Sequence, residues 1–226
     1  MKYQSGTMLI SLLIGLLISM LCILALLSSY RTIVKTGVES RIAATHDTQL
    51  QAGLTTAQMF LQNAGFGLEG SNNLLTTTVP VGSKTISAVL WRYKNGTTIV
   101  CQGLADIESS DNKKRRFVLL EGFEEGFEEG FENDSDTLCN GTSNLGSFKW
   151  KEQSTLANLE DYSSDKSNPK QITFEQTTSA CTPFGAGTLD DSSQHPLIII
   201  NAKTSTQKIE ELETVQVPVC LLNIAS

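Results

Sequence analysis

Hydrophobic and polar positions divide the chain into one long apolar run and a mixed, turn-rich remainder. No charge occurs between Tyr3 and Tyr30, and Met8–Tyr30 reads MLISLLIGLLISMLCILALLSSY. At about 1.5 Å per residue, ~22 helical residues span roughly 33 Å, enough to cross a bilayer core. Past Arg31 the pattern turns periodic. Residues 31–65 lack proline, and Leu50, Leu54, Ala57, Leu61 and Ala64 recur at helical spacing. That stripe predicts one helix face packed against a sheet. Gly37 and Gly53 weaken the helix locally. The segment AGFGLEG predicts its end at Gly65. His46 is read as off the packing stripe and solvated.

Beyond Gly65 the patterns are shorter. Ile86–Tyr93 and Thr97–Val100 flank Lys94-Asn95-Gly96, a hairpin signal because tight hairpin turns need positive φ. Phe117–Leu120, Phe148–Lys151, Gln171–Gln176, Leu197–Ala202 and Thr214–Leu222 read as further strands. Pro218 marks the last as an edge or a bulge. Leu156–Pro169 and Ser179–Pro196 read as loops, and Lys208–Glu213 as a charged turn. Leu197–Leu222 forms a closing antiparallel pair that lets Cys220 reach Cys181. Glu121–Glu132 repeats Gly-Phe-Glu-Glu and places Phe123, Phe127 and Phe131 four apart. Glycine at every fourth position opposes a helix, so the repeat reads as an extended loop or hairpin; the second reading is a partner-binding surface. The EF-hand ligand spacing is absent from it.

Composition narrows the function classes. A chain of 226 residues holds the apolar stem and one domain of about 150 residues. The formal charge is −7. The one basic tract, Lys113–Arg116, lies between Asp106, Glu108, Asp111 and the acidic repeat, so it reads as a solvated turn and not a nucleic-acid site. Lys2 precedes the stem while Arg31 and Lys35 follow it, so charge leaves the membrane orientation open. The cysteines orient the head instead. Cys22 sits in the stem; Cys101, Cys139, Cys181 and Cys220 sit in the head, without a CxxC pair and far from His46 and His195 in sequence. Two disulfides in an oxidising compartment fit better than zinc. Three pairings are possible; Cys101–Cys139 with Cys181–Cys220, which closes successive loops, is favoured. No Gly-x-Ser-x-Gly elbow, phosphate loop or His-Glu-x-x-His occurs. Asp190-Asp191 near His195 is the nearest approach to a catalytic constellation and has no nucleophile. The expectation is a non-enzyme with no cofactor and no metal.

Four kinds of stem suit the apolar run. A cleaved secretory signal would need an A-x-A-like site, for which Ser28 and Ser29 are a weak substitute. A lipoprotein anchor at Cys22 needs a small residue where Leu21 stands. A plain signal anchor is the third. The fourth comes from Met1–Gly6 (MKYQSG) followed by TMLISLLIGLLI, which resembles the leader of the type IV prepilins. The resemblance implies cleavage by a membrane peptidase between Gly6 and Thr7, with methylation of the new N-terminus at Thr7. Two positions depart from the family: Thr7 stands where Phe is usual, and Ser11 where Glu is usual. That glutamate neutralises a neighbouring subunit's N-terminal ammonium in an apolar filament core, where an unpaired charge is costly. Its absence suits a tip or initiating subunit.

The likeness extends into the head. LQNAGFGLEG (Leu61–Gly70) is similar to the AG-aromatic-G turn of PilW-type minor pilins, and AVLWRYKNGTTIVCQG (Ala88–Gly103) and DTLCNG (Asp136–Gly141) come after it in that family's order. The resemblance implies an α+β pilin-like fold: a long N-terminal helix, transmembrane in its first half, packed on an antiparallel β-sheet head with disulfide-stapled loops. Its parts would be a leader (1–6), a transmembrane and assembly helix (7–30), an amphipathic continuation (31–65) and a periplasmic head (66–226). Expected partners are other minor pilins, the major pilin, the prepilin peptidase and the inner membrane, with no direct nucleic acid. The location would be the inner membrane with a periplasmic head, then the extracellular pilus. Two other readings share much of this: a pseudopilin of a type II secretion system, and an anchored periplasmic binding domain that never polymerises.

Overall fold

The computed structural model describes residues 5–109, 114–123, 139–162, 170–181, 194–206, 212 and 214–224. The chain forms two units, Met1–Thr45 and His46–Ser226. One helix, α1 (Ser5–Leu61), contributes to both and is 57 residues long. In the first unit the large apolar side chains from Leu9 to Ile42 are exposed.

Among the described residues the second unit holds eight strands: β1 (Leu74–Val81), β2 (Lys84–Asn95), β3 (Thr98–Glu108), β4 (Arg115–Phe123), β5 (Lys149–Leu159), β6 (Ile172–Ser179), β7 (His195–Lys203) and β8 (Thr214–Cys220). The expected single sheet is corrected to two. β1 to β5 close into a barrel, and β6, β7 and β8 make a separate three-stranded sheet with β7 central. Every neighbouring pair is antiparallel except the barrel seam, where β1 and β5 meet at the single parallel pair Val81↔Trp150.

Two faces of the barrel strands are buried, which explains why AVLW in β2 is a continuous apolar run. Ala88 and Leu90 join Ala105, Val118, Leu120, Phe148 and Trp150 in one cluster. Val89 and Trp91, the alternate residues, join Leu104, Phe117 and Leu119 in a second. The second cluster also takes Leu50, Leu54, Ala57 and Leu61 from α1 and Ile198, Ile200 and Val219 from the three-stranded sheet. Full burial of a leucine stabilises by about 1.5–3 kcal/mol, so the three helix leucines contribute roughly 5–9 kcal/mol before entropy losses.

Several strand limits differ from expectation for local reasons. β1 was not expected; Pro80 interrupts its apolar pattern. The signal was present in Gly82-Ser83, which lies between two β-branched runs and forms the β1–β2 turn with Gly82 at φ 58°. The β2–β3 turn is centred one residue later than expected: Asn95 pairs with Thr98, and Gly96 (φ 63°) takes the first central position, as glycine does in a type II′ turn. β3 runs on to Glu108 because Gln102, Gly103 and Asp106 lie in a strand that has polar residues within its buried stretch. β5 extends to Leu159 through a region expected to be loop. Leu156 and Gln153 are its extra residues at two irregularities of register with β4.

The helix ends at Leu61, ahead of the expected Gly65, and further turns carry the chain on. Gly65 has φ 77° and donates its N–H to Arg92 O at 2.9 Å, while Lys94 N donates to Phe66 O at 2.8 Å. The glycine thus brings the chain alongside β2. A Cβ there would lie close to Ile224 Cγ1 and 2.9 Å from Asn223 O. Gly65→Ala combines a left-handed backbone with a steric clash and is expected to destabilise the head by about 2–4 kcal/mol. Thermal melting by circular dichroism should fall by roughly 5–15 °C; an unchanged melting temperature would contradict this packing.

Candidate functional site

α1 presents its feature of interest between residues 9 and 42. Consecutive large side chains are exposed there: Leu9, Ile10, Leu12, Leu13, Ile14, Leu16, Leu17 and onward. From Leu9 to Tyr30 their exposure is not confined to one stripe, so the helix is apolar all round there, while past it the exposed Ile33, Val34, Val38 and Ile42 are interspersed with exposed Arg31, Lys35, Glu39 and Arg41. Among the described residues it is the one helix long and apolar enough to cross a membrane. Ser11 and Cys22 lie within this exposed surface. Gly15 and Gly37 have open space where a Cβ would stand, so neither is required by packing within this chain. Gly6 and Thr7 fall in the first turn of α1, and nothing is described of the Thr7 side chain. Lys35 and Glu39 approach to 3.9 Å across one turn, both well exposed, where such a pair contributes little.

The head places its cysteines in two pairs, Cys101–Cys139 with Cα atoms 5.7 Å apart and Cys181–Cys220 with Cα atoms 6.1 Å apart. Phe123 ends β4, half-buried, with Lys151 Nζ 5.4 Å from its ring centre. Phe127, Phe131 and Asp190-Asp191 lie outside the described residues. Among the described residues no three His, Cys, Asp or Glu side chains are grouped to hold a metal.

His46 corrects a sequence expectation. It is buried, 4% exposed, with its ring edge-on to Tyr162 at 5.1 Å. It stands one helical turn before Leu50, so it extends the packing stripe that continues through Leu54, Ala57 and Leu61. Its Nδ1 lies 3.1 Å from Asp47 Oδ1. Asp47 in turn accepts the Ser205 amide at 2.8 Å and the Ser205 hydroxyl. The order is serine, carboxylate, imidazole. A nucleophilic triad needs the imidazole between the other two to take the hydroxyl proton, so this arrangement does not activate Ser205. It ties the turn after β7 to α1.

Two buried polar groups act as structural anchors that the sequence pattern does not single out. Arg92 is 1% exposed on β2. Its Nη1 donates to Asn140 O at 2.7 Å, and its Nη2 donates to Asn72 O at 3.0 Å and Ser143 O at 2.8 Å. Burial lowers its pKa. The carbonyls it gathers lie before β1 and just after Cys139, opposite the β3 cysteine, Cys101, with which Arg92 is in register. Asp106 is the second. Its Oδ1 accepts from Arg115 Nε at 2.8 Å, and its Oδ2 accepts the Gln171 and Ile172 amides at 2.7 and 3.0 Å. Burial pushes this carboxyl up, and Arg115 and the two amides pull it back. One carboxylate therefore couples the barrel to the first residues of β6. The visible signal was a lone charge inside an apolar strand, which a buried partner must satisfy.

Searches against protein-family models, curated proteins and solved structures returned no match for this chain.

The Asp47 contact has a pH signature. Burial would raise its carboxyl, but the Ser205 hydroxyl and amide together with His46 outweigh burial and hold it below its ordinary value. The contact's stabilisation is complete above the unfolded-state value of about 3.9 and is lost as pH falls through the lower folded value. Asp47→Asn should remove that acid dependence and cost about 1 kcal/mol, a modest figure because the group is partly solvated. The check is the Ser205 amide resonance followed through an acid titration. A midpoint at or above that of a free aspartate would refute the assignment.

Proposed function

We propose that the chain is a minor pilin, a structural subunit of a type IV pilus that primes assembly or sits at or near the tip. The observation that carries this reading is the all-round exposure of large apolar side chains on α1 from Leu9 to Tyr30, on the helix whose later residues, Leu50 to Leu61, are core. Exposed apolar surface on such a scale needs lipid or other helices around it. A subunit held first in the inner membrane with its head in the periplasm, and later packed stem to stem in a filament, supplies both surroundings in turn. The leader MKYQSG and the turn Leu61–Gly70 support the same reading by resemblance.

On this proposal Gly6 and Thr7 flank the processing site, and the prepilin peptidase, other minor pilins and the major pilin are the partners. Ser11 lacks the carboxylate that would neutralise another subunit's N-terminal ammonium, which suits a position with no subunit above it. The chain acts by assembly and not as an enzyme. Apolar burial drives entry into the filament, and the head sets which neighbours it meets.

The test is the intact mass of the protein isolated from its native membrane. A chain starting at methylated Thr7 is the expected result. Retention of Met1–Gly6 would overturn the pilin reading and leave an anchored domain, and cleavage near Ser29 would make it a secreted protein. Gly6→Val should block processing and leave the full-length mass.

A further inference from the structure

The barrel is thinly joined on one side. β1 and β5 meet at the single pair Val81↔Trp150, so the strand seam does not continue toward the start of β1. The chain after Cys139 reaches that side: Leu145 belongs to the cluster of Ala88 and Leu90, and Leu75 packs against the same cluster. A pocket of about 250 Å³ opens to solvent there. Its lining includes Arg92 at the end of β2, with Ser71, Asn72, Thr142, Ser143 and Asn144 around it. The ends of β-barrels are recurrent places for ligand sites, and drug-sized ligands occupy roughly 300 Å³ or more. This pocket suits something smaller, on the scale of one sugar ring.

Arg92 is the one charged residue in that lining. A guanidinium has five N–H donors. Three of them meet the carbonyls of Asn140, Asn72 and Ser143, which fixes the loop after Cys139 but brings no negative charge. Nε is buried and has no hydrogen-bond partner. Among the described residues no carboxylate pairs with Arg92, whereas buried Arg115 has Asp106. Burial lowers the Arg92 pKa, and no neighbouring charge opposes that shift. A buried cation without a counter-charge is costly, and an anion in the pocket would offset the cost. The wall is ordered in advance. Asn140 Oδ1 accepts the Thr142 and Ser143 amides at 3.1 and 2.7 Å. Asn144 Oδ1 accepts from Gly146 N at 2.8 Å, which leaves its amide nitrogen as a donor.

We infer that this pocket binds a sugar acid, with its carboxylate set against Arg92 and its hydroxyls on the neutral side chains around it. One cation ringed by hydroxyl and amide groups matches a ligand with one negative charge and several hydroxyls. Inorganic phosphate carries more charge and fewer hydroxyls, so it matches less well. The pocket lies wholly within the head, and the inference does not depend on the pilin reading. The opposing view is that three carbonyl dipoles satisfy the guanidinium and the pocket is empty surface relief. The first requires selective binding that the lining residues control, and the second requires none.

The experiment uses the full chain in detergent micelles. Galacturonate, galactose (the same ring without the carboxylate) and inorganic phosphate are titrated by calorimetry, and the Arg92 Nε–H resonance is followed by NMR. The expected result is saturable binding of one galacturonate per chain with a shift of that resonance. Galactose and phosphate should bind about tenfold or more weakly, since a hydrogen bond to a charged group is lost or mismatched. Ser71→Tyr and Thr142→Tyr alter exposed lining residues and leave the Arg92 bonds in place. Both should melt like the parent and lose about tenfold or more in galacturonate affinity. Arg92→Gln should abolish the preference over galactose, and Arg92→Lys should keep part of it. No saturable binding of galacturonate would overturn the inference. So would galactose or phosphate binding as tightly, or tyrosine variants that bind as the parent does. If the Arg92 variants do not fold, the tyrosine variants decide. Trigalacturonate separates two sources of the same chemistry, and both uphold the inference: binding at least as tight as the monomer's assigns a residue within a polysaccharide, and binding of the monomer alone assigns a free sugar acid.

Discussion

The leucine stripe of α1 in the core is the contact on which the head depends. Leu50, Leu54, Ala57 and Leu61 meet Trp91, Leu104 and Phe117 from the barrel and Ile198 and Ile200 from the three-stranded sheet. The helix is the common surface for two sheets that are separate in hydrogen bonding. Without it, each sheet would expose an apolar face to water. The same helix is apolar on every side nearer its start, where nothing within its own unit covers it. Its two stretches differ in kind: one has a stripe matched to a protein core, and the other has the undirected apolarity suited to lipid or to a packed set of helices.

Around that core the buried polar groups act as connectors. Arg92 gathers three carbonyls from segments distant in sequence, and Asp106 joins Arg115 on β4 to the amides that begin β6. Both satisfy backbone groups that would otherwise be costly to bury. The two disulfides act in the same regions. Cys101–Cys139 anchors the chain that returns to the barrel, close to the carbonyls Arg92 holds, and Cys181–Cys220 links the stretch after β6 to the end of β8. These features tie distant segments of the head together. Its described polar clusters are explained by structural bonds, including the Ser205–Asp47–His46 chain, whose order excludes nucleophile activation.

The sequence by itself determined the apolar stem, the leucine stripe and most of the strands that alternate or run apolar. These are local signals, set by side-chain period and by turn residues. The sequence left three cysteine pairings open, and the fold shows the favoured one. Tertiary structure decided the rest. Only the fold divides the strands between a barrel and a second sheet, because AVLW-type runs show burial on both faces without naming the layer on each side. Only the fold buries His46, since its membership of the stripe depends on Tyr162 being present to cover it. β1 stayed hidden because proline weakens a strand pattern, and whether its missing N–H points into the ladder or out of it is a matter of register. Arg92 and Asp106 were visible as charges, but their partners lie up to 51 and 66 residues away in sequence. No local pattern carries contacts at that range.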